Sequence, residues 1–339
     1  MKSALIKVLK IALPLLLGIY LIWYFFNNMD AKAKDYFFFA IKNANYSWII
    51  LSVILSFLAF LSRAYRWKYM LEPLGYKTSL WNRYHSLMIG YIINLTIPRA
   101  GEASRSAMLY RSEGVPFSKS FGTIIAERAV DFVMLLILAS VTALIGFQDF
   151  KAIFIEIQNT FTPSSTKKDG FPIKLVIEIF FIIVTIAGFI FIRKKPALRA
   201  KIISFVKDIF IGLTSIFKSK NPSGYIFHTL FIWVSYITYF GVCFYSLEET
   251  KDFPISGILL GFIAGSLGIM FTNGGIGTFP LLVGLVVNFV MKDKTPNALA
   301  IGNAIGMIIW ASQTILLIIL GLISFILLPK NHSKEDVEN

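Results

Sequence analysis

The stretch Asn94-Leu-Thr-Ile-Pro-Arg-Ala-Gly-Glu-Ala-Ser-Arg105 interrupts an apolar segment with a proline, a glycine and three ionisable side chains. Pro98 removes a backbone donor and Gly101 weakens a helix, so a helix break is predicted here. Glu127-Arg-Ala-Val-Asp131 places further charges inside the next apolar segment. Because ionisable side chains at membrane depth are costly, they are functional candidates. We therefore predict a site that contains Arg99, Glu102, Arg105, Glu127, Arg128 and Asp131.

The composition predicts an all-α polytopic membrane protein. Hydrophobic residues make up 56% of the 339 residues, charged residues 15%, and the mean hydropathy is +0.69. Soluble chains average about 45–50% apolar and about 25% charged residues. The net charge of +14 is best explained by Lys and Arg in cytoplasmic loops, so no nucleic-acid partner is expected. Cys243 is the single cysteine and the three histidines lack metal-ligand spacing, so we expect no disulfide, metal or cofactor.

Hydropathy predicts about six full spans and two shorter, broken segments. The apolar segment 83–97 would be only about 22 Å long as a helix, whereas a bilayer core is about 30 Å thick. The apolar pieces 254–271 and 276–290 are separated by the glycine-rich Thr272-Asn-Gly-Gly-Ile-Gly277. We interpret both broken segments as re-entrant helical hairpins. The full spans are predicted at about 11–26, 47–70, 116–146, 173–192, 225–247 and 296–328.

The order of these segments predicts inverted repeats. Residues 47–147 and 223–328 each contain a span, a broken hairpin and a long span. Secondary transporters use this plan and place their sites near the midplane, at broken helices. We therefore expect one membrane domain, residues 1–329, and a polar tail, 330–339. Within it, 1–46 forms the first span and loop, and 148–222 a linker span and basic amphipathic helix.

The charge distribution predicts the orientation in a cell membrane. Residues 193–220 carry eight basic residues and one acidic residue, with apolar residues near helical spacing. Such a helix is expected on the anionic cytoplasmic leaflet. Both termini are then cytoplasmic, and the loops 148–172 and 248–253 are outside.

The individual charges permit more than one role. Arg63 and Arg66, in Arg63-Ala-Tyr-Arg-Trp-Lys-Tyr69, are either interfacial anchors or ligands of a lipid phosphate. Arg128 and Asp131 are spaced to pair on a helix, so the charges are also compatible with a structural ion-pair network. Three arginines and three carboxylates in the hairpin and the next span balance, so an anionic headgroup would need Arg63, Arg66 or a freed arginine. Alternatively, the carboxylates bind an amine or carry a proton.

Three motifs resemble the flippase-like family that includes the membrane region of lysylphosphatidylglycerol synthases. They are Asn94…Pro98…Gly101-Glu102…Arg105, Glu127-Arg128-x-x-Asp131 and Gly274-Gly-x-Gly277. The resemblance implies movement of an anionic or aminoacylated phospholipid between leaflets. It adds Asn94, Gly101, Asn273, Gly274, Gly275 and Gly277 to the expected substrate site. No soluble aminoacyl-transferase domain follows in this sequence, so we do not expect lipid lysylation by this chain.

Two other classes of function remain open at this stage. A membrane-embedded lipid-modifying enzyme, resembling a glycosyltransferase, would use Glu102 or Asp131 as a general base. A non-transporting structural partner of a membrane enzyme would instead form a stoichiometric complex. Formation of a modified lipid, or of such a complex, distinguishes these classes from transport. The sequence also leaves a homo-oligomer open.

Overall fold

The computed structural model describes residues 31–97, 99–145 and 221–329, together with the single helical positions Leu16, Tyr20, Trp23 and Asn27. The predicted span at 11–26 is therefore described only at isolated positions. The predicted loop 148–172, the span 173–192, the amphipathic helix 193–220 and the polar tail lie outside the described residues.

Nine α-helices account for most of the described chain, and those residues form no β-strand. The helices are α1 Ala31–Asn43, α2 Tyr46–Leu71, α3 Leu80–Thr96, α4 Gly101–Glu113, α5 Phe117–Ile145, α6 Pro222–Val242, α7 Ile255–Phe271, α8 Thr278–Met291 and α9 Ala298–Leu327. Short 3₁₀ turns connect several of them.

Four of these helical segments are long and apolar enough to cross a membrane. Large apolar side chains are exposed along them, including Leu136 on α5 and Leu322 on α9, as expected of surfaces that face lipid. The prediction of a polytopic helical membrane protein is thus confirmed. The four segments are Tyr46–Leu74, Phe117–Ile145, Pro222–Ser246 and Ala298–Leu327.

Local sequence signals explain where several helices begin. The side chain of Asn45 accepts a hydrogen bond from the Ser47 backbone and caps α2. Asn221 caps α6 in the same way, and Pro222 occupies the first turn, where its missing N–H costs nothing. The long α5 begins at Phe117, one residue after Pro116, as the sequence predicted.

The helices fall into two consecutive blocks of matching lengths. Helices α2 to α5 contain 26, 17, 13 and 29 residues, and helices α6 to α9 contain 21, 17, 14 and 30. The first helices of the blocks, α2 and α6, pack against each other. The second helix of each block packs against the last helix of the other: α3 against α9, and α7 against α5. These three contacts are therefore unchanged when the two blocks are exchanged.

The two blocks differ in the chemistry of their interiors. The largest apolar cluster lies mainly on the second block and includes Phe240, Phe279, Val283 and Ile305. The buried arginine, histidine and glutamate side chains of the described residues belong to the first block and lie on α2, α3, α4 and α5. The largest apolar cluster and the buried charged side chains therefore lie mainly in different blocks.

Candidate functional site

The break between α3 and α4 contains a residue in an unusual backbone conformation. Helix α3 ends at Thr96 and α4 begins at Gly101. Between them Arg99 has a φ of 62°, the only positive φ of a non-glycine residue in the described chain. Left-handed backbone costs an L-residue about 1–2 kcal/mol. A strained residue at a helix break is a reason to look for function there.

Helices α3 and α4 approach each other very closely beside this break. A Cβ atom placed on Gly101 would lie 2.2 Å from the carbonyl oxygen of Gly90, so only glycine fits. The backbone N–H of Gly101 donates to Oδ1 of Asn94 over 2.7 Å. Asn94 therefore satisfies a donor at the start of α4 that the helix itself leaves unpaired. Both predicted residues hold the two helices together at the site.

Glu127 lies at the centre of a buried cluster of charges. The residue is 1% exposed and accepts hydrogen bonds from Arg63 Nε at 2.7 Å and Arg105 Nη2 at 3.0 Å, and Arg66 Nη2 lies 3.1 Å from its Oε1 as an ion pair. These arginines come from α2 and α4, whereas Glu127 lies on α5. Both carboxylate oxygens receive arginine donors, so Glu127 joins three helices through charge-assisted hydrogen bonds.

Asp131 extends the cluster by one helical turn along α5. Its carboxylate pairs with Arg66 Nη2 at 3.0 Å and also with Arg63. One further donor of each α2 arginine reaches α6: Arg63 donates to the Tyr236 hydroxyl over 3.0 Å, and Arg66 to the Thr229 hydroxyl over 3.1 Å. The cluster therefore ties the first block to the first helix of the second.

Arg105 is fixed by an aromatic ring as well as by Glu127. Its guanidinium carbon lies 3.8 Å from the ring centroid of Trp67, a cation–π contact. Arg105 is 3% exposed, yet its Nε has no hydrogen-bond partner in the described part of the chain, and the same is true of the buried Nε of Arg66. Unmatched donors in a buried cluster mark places where a further acceptor would be stabilised.

The cluster carries an excess of positive charge. Three arginines, Arg63, Arg66 and Arg105, surround two carboxylates, those of Glu127 and Asp131. The count of three arginines and three carboxylates covers only the hairpin and the next span, and Arg63 and Arg66 enter the cluster in addition, from α2. The interpretation of these two arginines as interfacial anchors is wrong, since they are 4% and 0% exposed.

Arg128 and Arg99 lie outside this buried cluster. Arg128 pairs with Glu102 at 2.9 Å, and the two side chains are 42% and 21% exposed. The predicted pairing of Arg128 with Asp131 is not formed. Arg99 is exposed and makes no ion pair with any other described residue.

A narrow pocket opens between α3, α4 and α5 next to these charges. Asn94, Gly101, Glu102, Arg105 and Arg128 line it. Its cavity volume is about 10 Å³, which is room for a single water molecule. The pocket therefore brings five of the predicted site residues to one place.

The second helix break is built on glycine backbone. Gly274, Gly275 and Gly277 all have φ between 62° and 78°, which L-residues rarely adopt. The Trp310 indole donates to the carbonyl of Gly274 over 2.8 Å and holds the turn against α9. A Cβ on Gly274 would lie 2.5 Å from Leu95, so the two breaks meet. The glycines do not line the pocket, and Asn273 contributes backbone to the turn.

Sequence reasoning missed three residues that support the cluster. Trp67 was grouped with interfacial aromatics, although it lies four residues after Arg63 and so shares its face. Thr229 and Tyr236 are seven residues apart on α6, a spacing that places them on one face of an otherwise apolar helix. The spacing of Thr229 and Tyr236 could have indicated that this face of α6 packs against polar side chains.

Comparisons with known proteins support the resemblance noted in the sequence. The family model described as "Lysylphosphatidylglycerol synthase TM region" matches residues 11–321. Across 92 residues the chain is 33% identical to the UPF0104 membrane protein MJ1595 of Methanocaldococcus jannaschii, which is 26% of this chain and 27% of that protein. The chain thus matches about a quarter of that relative's length. No solved structure matches the chain. Since the family model covers most of its length, the chain belongs to the family of the lysylphosphatidylglycerol synthase transmembrane region.

Proposed function

We propose that the protein moves the headgroup of a phospholipid, or of another lipid-linked group, from one membrane leaflet to the other. The observation that carries this proposal is the pocket at the α3–α4 break, where a net positive buried cluster adjoins a half-exposed ion pair. Ionisable groups at membrane depth usually mark substrate pathways. Membership of a lipid-related membrane family supports the same proposal.

We infer that the two blocks are inverted repeats with re-entrant hairpins. Helix α3 contains 17 residues and is about 26 Å long, and α4 with 13 residues is about 20 Å long, each shorter than a bilayer core of about 30 Å. Helices α7 and α8 repeat these lengths. Contact between Leu95 and Gly274 supports hairpins that enter from opposite faces and meet inside the membrane. Transporters place their sites at such broken helices.

A lipid headgroup requires a polar pocket that opens sideways while the acyl chains remain in hydrocarbon. The pocket between α3, α4 and α5 has the required polar lining but holds only one water molecule. Transport therefore requires the break to open, and the strained backbone at Arg99 is the natural hinge. Arg99, exposed and outside the cluster, is positioned to meet a headgroup when the hairpin moves.

The ion pairs of the carboxylates favour transport over lipid modification. A general base needs an oxygen within hydrogen-bond reach of its substrate. Both oxygens of Glu127 already accept arginine donors, and both oxygens of Asp131 pair with Arg63 or Arg66. Glu102 is the one partly exposed carboxylate at the pocket, and it pairs with Arg128. We therefore propose a transporter and not an enzyme.

The wider setting follows from the same proposal. The partners are membrane lipids, anionic or aminoacylated phospholipids by family analogy, and no nucleic acid is involved. The location is the cell membrane with both termini in the cytoplasm, as the positive charges indicate. Cysteine-accessibility labelling tests this orientation: labelling of residues 193–220 from outside the cell would contradict it.

The proposed function is tested by lipid movement in proteoliposomes of the purified protein. The assay follows a fluorescent phosphatidylglycerol by dithionite bleaching from outside, with wild type, Arg99→Asn and the matched control Lys119→Gln, which removes an exposed positive charge on α5. Asparagine tolerates left-handed backbone, so Arg99→Asn removes the guanidinium without adding strain.

We expect transport by wild type and the control, loss in Arg99→Asn, and recovery of chemically unchanged lipid. Bleaching equal to that of protein-free vesicles for wild type would refute transport. A modified lipid product would instead favour the enzyme.

A further inference from the structure

We propose that the Glu102–Arg128 ion pair is an exchangeable latch that a lipid phosphate opens, so that the pocket selects headgroups of net negative charge. This inference rests on the proposed function, because it identifies the class of lipid that the same pocket takes. It assigns different roles to the two sets of ion pairs: the buried cluster holds the helices in place, and the outer pair responds to the ligand.

The ion pairs of the buried cluster and the Glu102–Arg128 pair differ in how much of their side chains is exposed. The side chains of Arg63, Arg66, Arg105 and Glu127 are 5%, 0%, 3% and 1% exposed, so their pairs cannot exchange with water or ligand without unfolding the site. The side chains of Arg128 and Glu102 are 42% and 21% exposed, and Arg128 Nη2 lies 2.9 Å from Glu102 Oε1. Exposed pairs of this kind contribute little to stability. A ligand phosphate can therefore replace Glu102 on Arg128 at small cost.

The charge of the site favours an anion over a zwitterion. The buried cluster carries one unbalanced positive charge, and the Glu102–Arg128 pair adds none. A phosphate on Arg128 would bind through the planar fork of the guanidinium. The unpaired Nε of Arg105, beside the same pocket, offers a further donor. Gly101 and Glu102 bring the N-terminal end of the 13-residue α4 to the pocket, and this end also favours an anion.

Glu102 also controls the size of the pocket. With the pair closed, the cavity of about 10 Å³ excludes a phosphate group. When Glu102 turns away from Arg128, its carboxylate leaves the pocket and the guanidinium of Arg128 becomes available. Binding an anion and opening the pocket are therefore one step, and a ligand that cannot displace Glu102 leaves the pocket shut.

The test measures equilibrium lipid binding and does not require transport. The purified protein is placed in phosphatidylcholine nanodiscs, and the binding of spin-labelled phosphatidylglycerol is compared with that of spin-labelled phosphatidylcholine. The variants are Glu102→Gln and Arg128→Gln. The matched control is Glu72→Gln, which removes a carboxylate from the Lys68–Glu72 pair, about one third exposed on both sides.

Opposite effects of the two variants are expected. Glu102→Gln removes the competitor of the phosphate, so phosphatidylglycerol should bind about two- to fivefold more tightly. Arg128→Gln removes a charge-assisted contact and should weaken its binding about tenfold or more. Phosphatidylcholine binding and the Glu72→Gln control should change by less than about twofold.

Weaker or unchanged phosphatidylglycerol binding in Glu102→Gln would overturn the latch. Equal effects of Arg128→Gln on both lipids would overturn the selection of anionic headgroups. Either result leaves the transport assay of wild type untouched, so this inference and the proposed function fail separately. If purified Arg128→Gln is not monodisperse, Arg128→Lys replaces it. Lysine keeps the charge but loses the planar fork, so its binding of phosphatidylglycerol should be weaker than that of wild type by less than the roughly tenfold expected for Arg128→Gln.

Discussion

Neutralising Glu127 tests whether the buried charges act as one unit. The substitution Glu127→Gln keeps the shape of the side chain but leaves Arg63, Arg66 and Arg105 with Asp131 as their only carboxylate. Breaking a buried ion pair by removing one partner costs about 3–5 kcal/mol, because a charge is left unpaired in a low dielectric. Four arginine contacts end on Glu127, so we expect a loss in the upper part of that range.

A second substitution should restore part of this stability. Arg105→Gln removes one of the three positive charges, so in the double variant two arginines face one carboxylate instead of the three that face it in Glu127→Gln. Residues that share one ion-pair network show coupling energies of about 0.5–3 kcal/mol. The double variant should therefore be more stable than the sum of the two single losses by an amount in that range.

The assay is reversible unfolding of the purified protein in mixed detergent micelles, with an SDS titration followed by helical circular dichroism. Glu72→Gln provides the control, because its pair with Lys68 is about one third exposed on both sides and its loss should cost less than about 1 kcal/mol. Strict additivity of Glu127→Gln and Arg105→Gln would refute the claim that the cluster is a coupled network. A loss below about 1 kcal/mol for Glu127→Gln would refute its burial as an ion pair.

Three further outcomes follow from the packing at the breaks and from the exposed pair. Gly101→Ala should destabilise the protein by about 1–3 kcal/mol, since its Cβ meets a backbone oxygen at 2.2 Å, whereas Gly122→Ala, with open space around it, should be neutral or stabilising in the same unfolding assay. Trp310→Phe should cost about 1 kcal/mol and increase proteolysis at the second break, because the bond to the Gly274 carbonyl is lost; unchanged cleavage would contradict this role. Binding of phosphatidylglycerol at Arg128 should weaken as salt is raised, and binding independent of ionic strength would exclude an exposed electrostatic contact.

The sequence predicted the fold well where local chemistry decides it. Pro116 and the following apolar run placed the start of α5 within one residue. The helix break was predicted from Pro98 and Gly101, and the structure begins α4 at Gly101. Such signals act within one helical turn, so they can be recognised without knowledge of the partners of a helix.

The partners of the charges could not be predicted, because they depend on contacts between distant helices. Glu127 and Arg63 are 64 residues apart, and nothing in their local sequence indicates that α2 and α5 adjoin. The hairpin and the next span contain three arginines and three carboxylates, whereas the folded cluster pairs Arg63, Arg66 and Arg105 with only two carboxylates. The same limit applies to Trp67, whose contact with Arg105 depends on the packing of α2 against α4.

Structure also changes which substitutions are informative. Gly101 is required by the close carbonyl oxygen of Gly90, so substituting it reports helix packing and not contact with a ligand. Arg105→Lys would break both the fork on Glu127 and the stack on Trp67, and so tests structure and transport together. Arg99 and Arg128 are outside the buried cluster, and their substitution reports on the ligand.

The central claim is that a lipid headgroup enters the pocket between α3, α4 and α5. The most direct measurement is a cryo-electron microscopy structure of the protein in nanodiscs that contain phosphatidylglycerol. The account predicts phosphate density between Arg105 and Arg128, with Glu102 turned away from Arg128 and the α3–α4 break opened around Arg99. Lipid density confined to the outer surface, with the Glu102–Arg128 pair closed in every particle class, would contradict it.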